Sequence, residues 1–219
     1  MYALVLKKSL LWDILYIFVH QAKRNTMSEV NLSISHLNSY TILKEFFLEK
    51  GKRVEYTKKE YFLQQNFSSL IAGWIENGSF RYTYMNEDGN ERIVCFSFEK
   101  EFVCDYASFI HREPALVSIQ AITDCVVYQL TYKELIDFLE MNADTQRLGR
   151  NVAESMFKMA YKRMLQAYCD SPGQRYITLM QRCPNLKEEV PLKEIASFIG
   201  VTPETVSHIR KKILLKGKS

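Results

Sequence analysis

The residues best suited to chemistry lie near the C-terminus, in the run Thr202-Pro203-Glu204-Thr205-Val206-Ser207-His208-Ile209-Arg210-Lys211-Lys212. Hydroxyls at Thr205 and Ser207 suit phosphate oxygens or base edges. Glu204 can accept from cytosine N4, and Arg210 and Lys211 can neutralise phosphates. This is the chemistry of reading duplex DNA. The rest of the chain offers no nucleophile–base pair, no metal-ligand spacing and no phosphate loop, so neither an enzyme nor a metal or other cofactor is expected. Its five cysteines (Cys95, Cys104, Cys125, Cys169, Cys183) are widely spaced with no C-x-x-C pair. That pattern fits reduced thiols in a cytoplasmic protein.

The flanking residues predict how that run is held. Pro191 opens a short helix, where its missing N–H is no loss. Ile195, Ala196 and Ile199 form its inner face, Gly200 ends it and Val201 plugs the turn. Thr202 caps a second helix, with Pro203 at its first position. Val206, Ile209 and Ile213 form that helix's buried side, leaving Glu204, Thr205, Ser207, His208, Lys211 and Lys212 outward. Two short helices joined by a glycine-containing turn make a helix-turn-helix. Charge agrees: from residue 150 onward there are 13 Lys/Arg and 6 Asp/Glu, a net of +7, against −3 for residues 1–149. A basic end behind a mildly acidic body suits a polyanionic partner.

Upstream the periodicity changes. Apolar spacing is helical through Leu43, Phe46 and Phe47, with Gly51 as a stop. Short strand-like segments follow at 70–76, 80–85, 92–98, 116–121 and 125–131. Asn77-Gly78 and the Asn86–Asn90 run break them, and Asn-Gly and Asp-Gly are strong hairpin signals. Regular turns between short strands predict an antiparallel β-rich domain over about residues 50–131. Helix returns at 132–141 and again at 145–168, where Leu148, Val152, Met156 and Met159 recur at spacings of 4, 4 and 3. This stripe approximates a heptad seam and predicts a dimerisation helix. Ser171-Pro172-Gly173 is the expected hinge, followed by a basic helix over 174–182.

Residues 1–20 are apolar but broken by Lys7, Lys8 and Asp13. Their longest clean run, Ile14–Val19, is far short of the ~20 residues a spanning helix needs. No small-residue cleavage site follows. Met27 opens a normal-looking cytosolic start. Residues 1–26 are therefore read first as an upstream extension, with a further packed helix and a membrane anchor as the alternatives.

The Thr202–Arg210 run resembles the recognition helix of the Crp/Fnr transcription regulators, commonly R-E-T-x-S-R. Glu204, Thr205 and Ser207 match it. Pro203 departs at the first position, and His208 stands where the family carries an arginine that reads guanine. The resemblance covers nearly everything after Met27. It implies an α+β fold: an N-terminal antiparallel β-roll (a cyclic-nucleotide-binding-like jelly roll, 27–142), a long dimerisation helix (143–170) and a C-terminal helix-turn-helix domain (171–219). In ligand-binding members a cassette runs Gly-Glu-Leu, then Arg-Ser-Ala, the arginine pairing the cyclic phosphate. Here Lys100 replaces the glycine and Glu101 matches the glutamate. The Arg-Ser position falls near Ala115-Leu116, leaving a degenerate effector pocket without a cationic partner for phosphate. Cyclic-nucleotide binding is therefore not expected. The iron–sulfur branch needs an N-terminal cysteine cluster, and none precedes Cys95. His20, His36 and His111 are isolated, so haem is not expected. The resemblance implies a homodimer on a pseudo-palindromic DNA site, RNA polymerase as a further partner, no membrane, and a possible unidentified small-molecule effector that gates DNA binding.

Overall fold

The computed structural model describes residues 38–183 and 186–216; the readings of residues 1–26 lie outside these. Helix α1 (Asn38–Lys50) leads into eight short strands: β1 (Lys52–Tyr56), β2 (Tyr61–Leu63), β3 (Ile71–Asn77), β4 (Phe80–Met85), β5 (Glu91–Ser97), β6 (Phe102–Val103), β7 (Ser118–Ala121) and β8 (Cys125–Thr131). Helix α2 (Tyr106–His111) interrupts them between β6 and β7. All pairings are antiparallel, in two four-stranded sheets ordered β1-β8-β3-β6 and β2-β7-β4-β5. The expected antiparallel roll is thus present.

Turn chemistry sets the strand ends. Gly78 sits at φ 93, and a Cβ there would lie 2.6 Å from both the Asp124 carbonyl and Cys125 Sγ. Only glycine joins β3 to β4 this closely. At the other hairpin Asn86 Oδ1 accepts the Asn90 N–H at 2.8 Å, while Gly89 turns at φ 77. Between the sheets Tyr56, Phe62, Ile75, Phe80, Tyr82, Ile119 and Val127 form the roll's own core.

Six helices follow among the described residues: α3 (Tyr132–Leu139), α4 (Ala143–Cys169), α5 (Pro172–Arg182), α6 (Leu186–Glu189), α7 (Leu192–Ile199) and α8 (Pro203–Lys216). The long helix begins two residues before its expected start. The cause is Asn142, whose side chain accepts the Asp144 and Thr145 N–H groups at 2.9 and 3.0 Å in a capping box. Strand β7 starts two residues late, because the Leu116 N–H goes to the Asp105 carboxylate instead of a neighbouring strand. Among the described residues no helix is long and apolar enough to cross a membrane.

Candidate nucleic-acid interface and central cavity

The first helix of the pair, α7, buries Ile195, Ala196 and Ile199. Gly200 ends it at φ 72, a left-handed position. Arg175 from α5 then closes the turn. Its Nε and NH2 donate to the Ile199 carbonyl at 3.1 and 2.8 Å, and its NH1 donates to the Asp170 carbonyl at 2.6 Å. A cation at two helix C-termini also meets the negative ends of their dipoles. Thr202 Oγ1 accepts the Thr205 N–H at 3.3 Å, as an N-cap should. Glu204 lies in the first turn of α8. Its carboxyl is held below the usual range by its own backbone N–H, then by the Thr202 hydroxyl.

Inward, Val206 is fully buried and Ile209 half-buried. Outward, Thr202, Glu204, Ser207, His208, Lys211 and Lys212 are exposed, with Pro203 and Thr205 half-exposed beside them. Two expectations need correction. Ile213 is 36% exposed rather than buried, because it lies one turn past the packed part of α8. Arg210 is half-buried and turned back. Its Nε donates to the Tyr176 hydroxyl at 2.9 Å and its guanidinium lies over that ring at 5.9 Å. It braces α8 on α5, because an arginine beside a buried tyrosine gains both a hydrogen bond and a cation–π contact.

The stripe on α4 is also corrected. Leu148 is only 4% exposed and Val152 packs beside it against α1 and α3. Met156 and Met159 face a cavity in the same chain. All four face the interior of their own chain. The outward apolar residues of α4 are Phe157 (73% exposed), Met164 and Tyr168 (85% exposed). Half-buried Tyr161 stacks on Phe157 at 6.2 Å. Positions 157, 161, 164 and 168 are themselves spaced 4, 3, 4. Periodicity alone does not say which of two stripes faces the chain's own core.

In the cassette region the chain keeps the shape and changes the chemistry. Lys100 adopts φ 64, the left-handed conformation a glycine favours. Glu101 accepts the Phe98 N–H at 3.1 Å and pairs with Arg182 of α5 at 3.2 Å. The Ala115 N–H donates to the Phe67 carbonyl at 3.0 Å. The Leu116 N–H donates to Asp105 Oδ2 at 2.7 Å. Both backbone donors that could cradle an anion are therefore occupied, one by a carboxylate. Ala115 is buried away from the cavity and Leu116 is on the surface. Arg112 is the C-cap of α2, with its guanidinium over the Tyr132 ring at 5.8 Å.

A cavity of about 720 Å³ does exist, bounded by α1, the roll, α4 and α5. The structure also shows joins that spacing could not reveal. Arg81 of β4 pairs with Glu194 of α7 at 2.5 Å. Ser79 Oγ donates to Glu189 at 2.8 Å, and the Ile93 N–H donates to Ser197 Oγ at 3.1 Å. Among the described residues no cluster of three or more His, Cys, Asp or Glu could hold a metal ion.

Comparison with known proteins agrees with this architecture. Residues 53–142 match the family model for the cyclic nucleotide-binding domain. The cAMP-activated global transcriptional regulator CRP of Salmonella typhimurium is 23% identical over 179 residues, covering 77% of this chain and 85% of that protein. Among solved structures, FixK2 from Bradyrhizobium japonicum superposes with a TM-score of 0.64 at 17% identity. That match covers 76% of this chain and 86% of FixK2. The c-di-GMP responsive global regulator CLP of Xanthomonas campestris gives 0.58 at 17% identity, covering 81% and 93%. At these identities the structural likeness speaks for the fold.

The architecture is a roll of the cyclic nucleotide-binding-domain type followed by a long helix and a helix-turn-helix. Over most of its length the chain is similar to regulators of the Crp/Fnr type.

Proposed function

We propose that the protein is a homodimeric, sequence-specific DNA-binding transcription regulator that does not respond to cyclic nucleotides. The observation that carries this is the outward face of α8, where Thr202, Glu204, Ser207, His208 and Lys211 stand exposed on a helix braced from behind. In this reading residues 27–142 are the sensing roll, 143–170 the dimer helix and 171–219 the DNA-binding domain. The occupied backbone donors at Ala115 and Leu116, with Asp105 beside them, support the absence of cyclic-nucleotide response. Cytoplasmic location and contact with RNA polymerase follow from the same reading.

Dimerisation is assigned to Phe157, Tyr161, Met164 and Tyr168 in place of the inward stripe. Two such helices side by side would set the recognition helices about 34 Å apart, one DNA turn. Phe157→Asp should shift the purified protein from dimer to monomer in analytical ultracentrifugation, while Leu148→Asp should unfold it instead.

Fluorescence anisotropy with a library-selected pseudo-palindromic probe tests DNA reading at about 150 mM salt, where counterion release separates specific from random binding. Glu204→Ala and Ser207→Ala should erase preference at single base positions. Lys211→Ala should weaken all probes by a similar few-fold factor and flatten the salt slope by about one. Equal binding of selected and random DNA would sink the proposal.

A second reading is favoured by the cavity: a receptor whose roll binds a small molecule to gate DNA binding. A metabolite that raises the melting temperature supports it.

A further inference from the structure

The central cavity has a chemical polarity of its own. Its volume of about 720 Å³ falls in the range of small-molecule sites. Most of its wall is apolar, including Leu43, Phe47, Phe102, Phe109, Met156 and Met159. The charged groups on that wall differ in how well they are partnered. Asp105 takes the Leu116 N–H, Glu101 takes the Phe98 N–H and Arg182, and Glu99 lies 3.9 Å from Lys100 Nζ. Lys100 Nζ also donates to the Glu76 carbonyl at 2.8 Å.

The two arginines are less satisfied. Arg163 of α4 makes one direct hydrogen bond among the described residues, from NH1 to Cys95 Sγ at 2.9 Å. Sulfur is a weak acceptor for a fork of five N–H donors. Arg182 of α5 has a side chain only 9% exposed. Besides Glu101 it reaches the Phe96 carbonyl at 3.0 Å, yet its Nε–H is buried with no partner. A buried unpaired donor in a folded protein calls for a missing acceptor.

We infer that this cavity binds a small carboxylate with an apolar body, held by the Arg163 guanidinium and Arg182. The inference rests on the receptor reading above and supplies the ligand's class. Of the cassette positions Lys100 and Glu101 line the site while Ala115 and Leu116 do not, and both arginines come from outside the cassette, on α4 and α5. Planar carboxylate matches guanidinium geometry, whereas an ammonium would face acids already partnered. An acceptor reaching Arg182 also competes with Glu101 for it, at the point where α5 joins the roll.

Isothermal titration of the full chain tests this with sodium octanoate and, as its uncharged counterpart, octan-1-ol. Octanoate should bind at one per chain, with octan-1-ol at least about tenfold weaker, and Arg163→Gln should remove about tenfold of the octanoate affinity. Arg163→Lys, which keeps the charge without the fork, should retain part of it. Octan-1-ol binding as tightly as octanoate, or an unchanged Arg163→Gln, would overturn the carboxylate site while leaving the cavity a receptor. Binding of neither probe would overturn the carboxylate site, and the melting-temperature screen decides the receptor reading separately.

Discussion

The roll and the helix-turn-helix are built on different terms. The roll encloses a core of its own, with Phe80, Ile119 and Val127 between two sheets. The helix-turn-helix does not. Its buried Ile195, Ala196, Ile199 and Val206 share one cluster with Ile93, Phe96 and Ile122, which belong to the roll. Phe96 faces Phe198 across the join at 5.4 Å between ring centres. A unit of about 49 residues is small for an independent core, so it borrows a wall. The outward face of α8 is thereby fixed relative to the roll by packing, and polar pairs set the register.

Changes at the join test this contrast. Phe96→Ala empties a fully buried ring site shared by both parts and should cost about 3–5 kcal/mol in urea unfolding. It should also speed proteolysis at 170–173. If only the roll or only the helical part loses stability, the cores are separate after all. Glu194→Gln keeps the size and removes the charge facing Arg81. With side chains 14% and 22% exposed, the expected loss is about 1–2 kcal/mol.

The smallest effect is alkaline. Cys183, in the shared cluster, has its thiol pushed up to about 12 by burial. Its folded value lies above the unfolded one, so it costs nothing below about pH 9. Stability is then lost progressively as pH climbs toward 12. At pH 10 the contribution is about 1 kcal/mol, and Cys183→Ala should flatten the slope of stability against pH above 9.

Local signals were legible and distant ones were not. Asn77-Gly78, the Asn86–Asn90 turn and the Pro191–Gly200–Thr202 punctuation placed strands and helices within a residue or two, because each fixes its own backbone. Helix α2 (Tyr106–His111) carries no sequence signal of its own, being six residues long with no side-chain cap hydrogen bond at Asp105. The orientation of α4 was missed because the helix carries two apolar stripes and sequence does not say which is turned inward. Arg81 and Glu194 are 113 residues apart, and no spacing rule joins them. Likewise the cavity's two arginines come from α4 and α5, 42 or more residues beyond the Lys100–Ala121 stretch in sequence.

Arg175 has a mechanical consequence. By gripping the Asp170 carbonyl at the end of α4 and the Ile199 carbonyl at the turn, it pins the long helix to the helix-turn-helix head. The head is also moored to the roll through Arg81 and Ser79. A body held at two points swings only when one mooring lets go. Loss of the Arg175 guanidinium would free the end of the long helix and the turn together, while the shared core still held α8 to the roll.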